Sequence, residues 1–317
     1  MKKLYSLVFS VTVTAAMATA GVTPALLNLV MPDATVVSGM NVSQSITSPF
    51  GQYILSQMQS NDSGFLQFIT ATGFDPRKDL LEILAATPST ASSTAHSGLI
   101  LGRGVFQPAM IIGAATEQGG TVTNYRGFSL IGPTGETVAL TFLDGSTVAM
   151  GDVTSVKSVI DRKVAGSTFS GTLAQTAVAV SAANSAWFAT TTPLSDFMST
   201  KQAGNLGGVA QSPLLQSVQQ ASGGVQFGSA GITLSADAVT ASPQNAQALV
   251  DVLKFFVSMI AGNANAPSSV ASVATSAQFS VNGSTAHISL MLAENQAEQL
   301  LMPQNAAKHA ARKSANR

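Results

Sequence analysis

Cysteine is absent from all 317 residues of the chain. The absence excludes disulfide bonds, thiolate metal sites and cysteine nucleophiles. It also excludes a membrane anchor built on a lipidated cysteine. Side-chain chemistry is therefore left to hydroxyl, imidazole and charged groups.

Charged residues are also scarce, at 9% of the chain where about 25% is typical of a globular protein. The hydrophobic share is 45%, close to the average, which excludes ordinary charged disorder. A chain of this length can form one large domain or two of ordinary size. Its polar surface must be built largely from Ser, Thr, Asn and Gln.

Basic residues are few in the body of the chain. Six of the fifteen lie in the predicted signal and tail defined below, and all fifteen acidic residues lie between them. The body thus has nine basic residues and a net charge of −6. Because it carries no basic stripe, nucleic acid is not expected as a partner.

The first twenty residues have the pattern of a signal peptide. Met1-Lys2-Lys3 is a basic start, an apolar run extends from Leu4 to Met17, and Ala18-Thr19-Ala20 is a small-x-small cleavage site. We expect export, with cleavage near Ala20 and a mature protein in the periplasm or outside the cell. The alternative is an uncleaved membrane anchor, although the run is shorter than the about 20 residues of a spanning helix.

The strongest structural pattern runs from Thr121 to Lys163. It predicts a strand over 122–131 and a hairpin at Asp144-Gly145, between two β-rich runs. Asp152 is a predicted N-cap for a helix from Val153 to about Arg162. The pattern explains Asp144 and Asp152 as turn and cap residues rather than as catalytic carboxylates.

A second hairpin is predicted at Asn282-Gly283, in a register that pairs Phe279 with Ala286 and Gln278 with His287. Elsewhere short strands and capped helices alternate. Further strands are predicted at 34–42, 98–101, 176–182, 186–190, 225–227 and 232–239, and helices at 49–59, 76–84, 106–115, 214–221, 244–261 and 295–301.

These patterns predict an α+β protein of antiparallel sheets with helices packed on one face. Residues 21–163 and 176–302 have a similar order of elements, and 303–317 is predicted to be a basic disordered tail. Met150-Gly151-Asp152 before its helix resembles Val239-Thr240-Ala241-Ser242 before the long one. Identity between the halves is slight, so the sequence leaves open whether they arose by duplication.

No catalytic, cofactor or metal residue is predicted. The three histidines, His96, His287 and His309, lack the spacing of a zinc site. There is no G-x-S-x-G motif, and the Gly102-Arg103-Gly104 segment lacks the third glycine of a dinucleotide loop. A Ser-His-Asp triad that includes His96 or His287 stays open, because such triads assemble in space.

Tyr125-Arg126 is the one aromatic-basic pair with the pattern of an exposed strand. It is a candidate contact site for a partner. The alternative is structural, with the arginine stem covering the tyrosine ring on a sheet face.

Several segments together resemble a group of uncharacterised bacterial exported proteins with no established function. The resemblance covers nearly the whole chain after residue 20 and implies no activity, cofactor or site residue. It is carried by LLNLVMPDATVVSG, SPFGQYILSQMQ, GFDPRKDLLEIL, AMGDVTSVKSVI, NSAWF, QQASGGVQFG and LAENQAEQLL.

Three functions stay open. The first is a non-enzymatic exported protein that binds or scaffolds a component of the cell envelope. The second is a hydrolase with a spatially assembled Ser/His/Asp site, which predicts a deep pocket around His96 or His287. The third is a carrier of an apolar ligand, which predicts a large apolar cavity lined by the helix over 244–261. This hypothesis fails if the apolar face of that helix packs solidly against strands.

Overall fold

The computed structural model describes residues 21–58, 63–88, 98–133, 135, 137–192, 213–229, 231–262, 268–293 and 296. The predicted signal, His96, His309, most of the last predicted helix and the tail lie outside these residues. The strands are β1 Ala34–Asn41, β2 Leu80–Pro88, β3 Leu99–Gly104, β4 Thr121–Tyr125, β5 Phe128–Gly132, β6 Val138–Phe142, β7 Thr147–Asp152, β8 Ala186–Thr190, β9 Val218–Gly228, β10 Gly231–Thr240, β11 Gln278–Asn282 and β12 Thr285–Leu292.

The described helices are interspersed among these strands. They are α1 Pro24–Leu27, α2 Val42–Ser45, α3 Pro49–Met58, α4 Ser63–Thr72, α5 Pro76–Asp79, α6 Pro108–Glu117, α7 Val153–Ala165, α8 Thr172–Ala183, α9 Pro213–Gln216, α10 Pro243–Ala261 and α11 Ser268–Thr275. No helix in this described part is long and apolar enough to cross a membrane.

All twelve strands form one sheet, in the order β11-β12-β10-β9-β8-β1-β2-β3-β7-β6-β5-β4. Every neighbouring pair is antiparallel. The predicted α+β class with antiparallel pairing is therefore confirmed.

Directly opposed residues of antiparallel strands share a face, so the registers define two faces of the sheet. The core face carries the row Val37, Ala189, Ser222, Asp237, His287 and Ser280. The cavity face carries the row Ser38, Phe188, Gly223, Ala236, Ile288 and Phe279.

The main hydrophobic core lies on the core face of the first half. There α1, α7 and α8 cover residues such as Val37, Leu84 and Leu101, which have no measurable exposure. The helix α7 starts where predicted, since Asp152 Oδ1 accepts a hydrogen bond of 2.9 Å from Ser155 N. It ends at Gly166, whose φ of 61° suits a glycine.

The long helix α10 packs on the opposite, cavity face. Its Ala246, Leu249 and Val250 are buried against the small residues Ala221 and Ala286. The helices therefore lie on both faces of the sheet, whereas the sequence patterns placed them on one.

Three secondary-structure predictions are wrong. The helix predicted over 76–84 is a single turn, Pro76–Asp79, and the strand β2 begins at Leu80. Residues 176–182 are helical, as part of α8, because Leu173, Ala177 and Ser181 form one buried stripe at a spacing of four. The predicted helix 214–221 is one turn followed by β9, whose Val218 and Ala221 contribute to the core under α10.

The predicted strand 122–131 is a hairpin. Its turn residues Arg126 and Gly127 have φ of 51° and 88°, and Tyr125 pairs with Phe128. Two central residues with positive φ make a type I′ turn, which normally contains Asn-Gly rather than Arg-Gly. The arginine obscured the turn signal in the sequence.

The hairpin of β11 and β12 has a different register from the predicted one. Its two loop residues are Gly283 and Ser284, so Phe279 pairs with Ile288 and Ser280 with His287. The predicted pairing with Ala286 and Gln278 is wrong by two positions. A shift of two keeps each side chain on the same face of the sheet. Phe279 therefore still packs in a hydrophobic cluster, the one under α10.

The strands of the two predicted halves are contiguous in the sheet and meet where β1 pairs with β8. In the first half β1, β2 and β3 lie side by side, and β7 pairs with β3. In the second half β8, β9 and β10 lie side by side, and β12 pairs with β10. The particular match of the segments before α7 and α10 fails, because those helices lie on opposite faces. Duplication itself stays a prediction.

Candidate functional site

The cavity face holds a first cavity of about 340 Å³ between the sheet and α3, which we call the α3 cavity. Phe50 of α3 stacks on Phe227 of β9, with ring centroids 5.5 Å apart. Met40, Leu80 and Ile83 form the floor. The lining is almost wholly apolar.

A second cavity of about 270 Å³ lies under α4 and α6, and we call it the α4–α6 cavity. Three aromatic rings support its side: Phe74 and Phe106 are 5.1 Å apart, and Phe106 and Phe142 are 5.6 Å apart. The floor is formed by side chains of β3, β6 and β7, including Ile100, Leu140 and Met150. The three rings form one chain of aromatic contacts along this cavity.

The two cavities are neighbours, because Leu80 and Ile83 line both. A third, of about 380 Å³, shares Ile100 and Met150 with the α4–α6 cavity. A fourth, of about 440 Å³, crosses β8, β9, β10 and β12 and includes Phe188. It begins at Ala186, which pairs with Met40 of the α3 cavity. The four form a row along the cavity face.

Several apolar side chains along this row are exposed. Ile100 and Met150 are 43% and 41% exposed, and Phe68 on the covering helix α4 is 45% exposed. Apolar side chains that are exposed beside an apolar cavity are typical of a ligand-binding site. The cavity face is therefore the strongest candidate functional site in the described part of the chain.

The local sequence explains why both faces of these strands are apolar. An antiparallel strand with one solvated face alternates apolar and polar residues. In β3, Leu99 and Leu101 face the core while Ile100 between them faces the cavities. In β6, Val138, Leu140 and Phe142 also face the cavities. The unbroken apolar runs in the sequence indicate that both faces of these strands are apolar, but they do not indicate which residues face the cavities.

Arg77 is the only basic side chain among the residues that line these four cavities. Its Nε and Nη2 donate hydrogen bonds of 2.9 Å to the two carboxylate oxygens of Asp75. These hydrogen bonds hold the pKa of Asp75 below its usual value, against the opposing effect of burial. The guanidinium also lies 5.0 Å from the ring centroid of Phe65. A cation is thus held at the rim of the α3 cavity.

The predicted contact pair Tyr125-Arg126 lies elsewhere, on the core face beside α7. The Tyr125 hydroxyl donates to Asp161 at 3.1 Å, and Arg126 Nε lies 2.7 Å from Asp161 Oδ1. Arg126 and Lys157 lie 5.9 and 5.2 Å from the centroid of the Tyr125 ring. Both predicted residues therefore have partners within the chain that attach the β4–β5 hairpin to α7.

His287 forms a pair with Asp237 on the core face of the second half, with Nδ1 2.8 Å from Oδ1. Ser280 occupies the opposed position on the next strand. The three residue types of a triad are thus aligned, but on an exposed sheet surface, and the four cavities are on the other face. Among the residues that the structure describes, no deep pocket that would favour a hydrolase surrounds His287.

Buried Glu82 has structural partners. Its carboxylate accepts hydrogen bonds from Thr23 N at 2.9 Å, from Thr23 Oγ1 and from Arg103 Nε at 3.0 Å. It fastens the start of the described chain to β2. No cluster of three or more potential metal ligands occurs among the described residues.

The prediction that the helix over 244–261 lines the apolar cavity is wrong, and the carrier predicted from the sequence, with this helix as its wall, fails. The N-terminal half of α10 packs tightly on β10, β11 and β12, and the four cavities are lined by other elements. Two of the cavities lie under α3 or under α4 and α6, and the other two lie on the open surface of the strands. Small residues beneath α10 allowed the close packing, which its helical periodicity could not reveal.

Comparison with known proteins found a similar fold among solved structures. No family model and no curated protein matches the chain. The structure is similar to crystal form III of TP0453, with a TM-score of 0.53 and 11% identity over 87% of this chain and 96% of that one. Forms IV and I of TP0453 match with TM-scores of 0.49 and 0.48. The likeness shows a shared fold alone.

Proposed function

We propose that this protein is an exported, non-enzymatic binding protein whose ligand is a long apolar chain such as the acyl chain of a lipid. The observation that supports this most directly is the row of four apolar cavities along one face of the sheet. Their individual volumes are near the lower bound of about 300 Å³ for a ligand pocket. A row of small cavities suits a narrow flexible chain better than a bulky ring system.

The boundaries between the cavities are side chains rather than backbone. Leu80 and Ile83 separate the α3 cavity from the α4–α6 cavity, and Ile100 and Met150 connect the latter to its neighbour. Rotamer changes of such side chains occur within nanoseconds when they are exposed. A chain could therefore lie across several cavities without a change in the sheet.

The position of Arg77 sets the direction in which the ligand would lie along the row of cavities. An acidic or phosphate head group at the mouth of the α3 cavity would meet this cation, and the apolar tail would extend toward β3 and β7. The Asp75 carboxylate occupies the guanidinium in the free protein. A head group would have to share or replace that pairing.

Export is proposed from the signal pattern of residues 1–20. Fractionation of cells that express a C-terminally tagged chain tests it. We expect a form shortened by about 20 residues outside the cytoplasm. A full-length form confined to the cytoplasm would contradict export without affecting ligand binding.

Displacement of a fluorescent fatty acid from the purified mature chain tests the ligand. The double variant Ile100→Gln, Met150→Gln should weaken binding at least tenfold, because two polar amides would enter the apolar floor. Both side chains are about two-fifths exposed, so the fold should be retained. Val164→Gln is the matched control, since Val164 is an exposed apolar residue on α7, away from the cavities. Equal binding by the double variant and the control would refute the site.

A further inference from the structure

The strand β4 at one end of the sheet has an open edge. Thr121, Val122, Thr123 and Asn124 are all exposed. The strand pairs with β5 on one side only. Nothing in the described part of the chain pairs with its other side.

The turn geometry shows which backbone groups of β4 are unpaired. In a hairpin with a two-residue loop, the residues that flank the loop exchange two hydrogen bonds, and the pairs alternate from there. Tyr125 flanks the loop, so Tyr125, Thr123 and Thr121 bond inward to β5. The N–H and C=O groups of Val122 and Asn124 therefore point outward along the free edge.

These four outward groups match those of a second copy. If two β4 strands pair antiparallel about Thr123, Val122 of each copy opposes Asn124 of the other. Both members of each pair then present outward groups, and all four groups of each copy are hydrogen-bonded. We propose that β4 joins two copies of this chain through this pairing.

The side chains of the edge permit the pairing. Natural edge strands are normally protected by charged residues, proline or a bulge. The sequence TVTNY of β4 has no charge and no proline, and its register is regular. In the proposed register threonine meets threonine at the centre, a favourable cross-strand pair, and no like charges oppose each other.

The chain already uses the same type of junction internally. Its two halves meet edge to edge where β1 and β8 pair antiparallel in the middle of the sheet. The other free edge, β11, is less open, because Phe279 and Val281 are partly buried under α10.

The pairing fixes how two ligand sites would be arranged. The two-fold axis between antiparallel strands is perpendicular to the sheet, so both copies present the cavity face on the same side. The contact involves about five residues of each chain, far fewer than the about 20–30 of a standard interface. The dimer should therefore be weak and dependent on concentration.

Because the chain has no cysteine, a single introduced thiol can trap the dimer. In the proposed register Thr123 directly opposes its own copy in a non-hydrogen-bonded pair, where Cα atoms are about 4.5 Å apart, within the range of a disulfide. Under mild oxidation, Thr123→Cys should form a covalent dimer at least fivefold faster than Ser280→Cys on the other edge strand.

Adding Val122→Lys to Thr123→Cys should slow dimer formation at least fivefold. The lysines of the two copies would be diagonal neighbours in the proposed register and would repel each other. The backbone hydrogen bonds from β4 to β5 would be kept. Circular dichroism of the monomer confirms folding. Equal rates for Thr123→Cys and Ser280→Cys, or no effect of Val122→Lys, would show random collision and overturn the proposal. Faster cross-linking by Val122→Cys than by Thr123→Cys would overturn the register.

Discussion

The helices α6 and α10 follow the third strand of their respective halves, β3 and β10, and both lie on the cavity face. The helix α10 buries Ala246, Leu249 and Val250 to 4% exposure or less. Of the residues of α6, only Ala114 is buried. The same position in the order of elements thus gives a closed core under α10 and an open cavity under α6.

Residue size explains the difference. The sheet under α10 presents alanines, namely Ala221, Ala238 and Ala286, so helix side chains can reach the strands. Under α6 the sheet presents large residues, and Phe74 and Phe106 also line the cavity there. Close packing needs large residues to meet small ones across an interface.

The largest expected effect separates the two helices by stability. Leu249→Ala should lower the free energy of unfolding by about 2–5 kcal/mol, as for a fully buried leucine. Ile111→Ala in α6 should cost about 1 kcal/mol or less, because Ile111 borders an existing cavity. Urea denaturation of the two variants measures both. Equal losses would mean that α6 is packed as tightly as α10.

Filling the two regions should have opposite effects. Ala286→Leu should destabilise the protein by about 1–3 kcal/mol, because the space under α10 is already filled. Ile83→Phe should change stability by less than about 0.5 kcal/mol, since the ring can occupy cavity volume. It should also weaken fatty-acid binding, because Ile83 lies between two cavities. Strong destabilisation by Ile83→Phe would indicate that no such free volume exists.

A smaller loss in the free energy of unfolding is expected at the margin of the core under α10. Phe279 lies on the edge strand β11 and is only partly buried under α10. Phe279→Ala should therefore cost about 1–3 kcal/mol, less than the about 3–5 kcal/mol of a fully buried phenylalanine. Thermal melts beside those of Leu249→Ala would show whether the centre of this core contributes more than its edge.

The smallest effect concerns Asp144, whose ion pair with Lys163 connects the β6–β7 loop to α7. Burial opposes ionisation of Asp144, but hydrogen bonds from Ser146 and Lys163 outweigh it and lower the pKa to about 2. This stabilisation is present above about pH 4 and is lost as the pH falls toward 2.

The variant Asp144→Asn should therefore lose less stability than the native chain between pH 5 and pH 2.5. The effect should be modest because both side chains of the ion pair are about two-fifths exposed. Glu117→Gln, at another exposed carboxylate, is the control. An identical pH dependence of all three proteins would contradict the role assigned to Asp144.

Local signals were sufficient for several elements. Asp152, Ser242 and Pro243 marked helix starts that the structure reproduces, and β8 lies at the predicted residues 186–190. These succeeded because a cap or an apolar period acts within a few residues. The strand predicted over 176–182 was wrong because its type is not decided locally. An Ala- and Val-rich segment can form a buried strand or a buried helix, and tertiary contacts decide between them.

The candidate site could not be predicted in the same way. Ile83, Ile100 and Met150 are apolar strand residues in the sequence, and nothing local distinguishes them from Leu84 and Leu101 on the other face. Only the sheet registers assign them to opposite sides. Tyr125-Arg126, which the sequence did single out, is attached to α7 through Asp161.

The sequence by itself determined the α+β class, the absence of thiol chemistry and the helix caps, because composition and short-range hydrogen bonding are properties of the chain. The tertiary structure alone decided which face each apolar residue occupies, which helix closes on the sheet and which leaves a cavity, and that no described residue pairs with the outer edge of β4. These features depend on contacts between residues far apart in the chain, whose fit is set by the sizes of the side chains that meet.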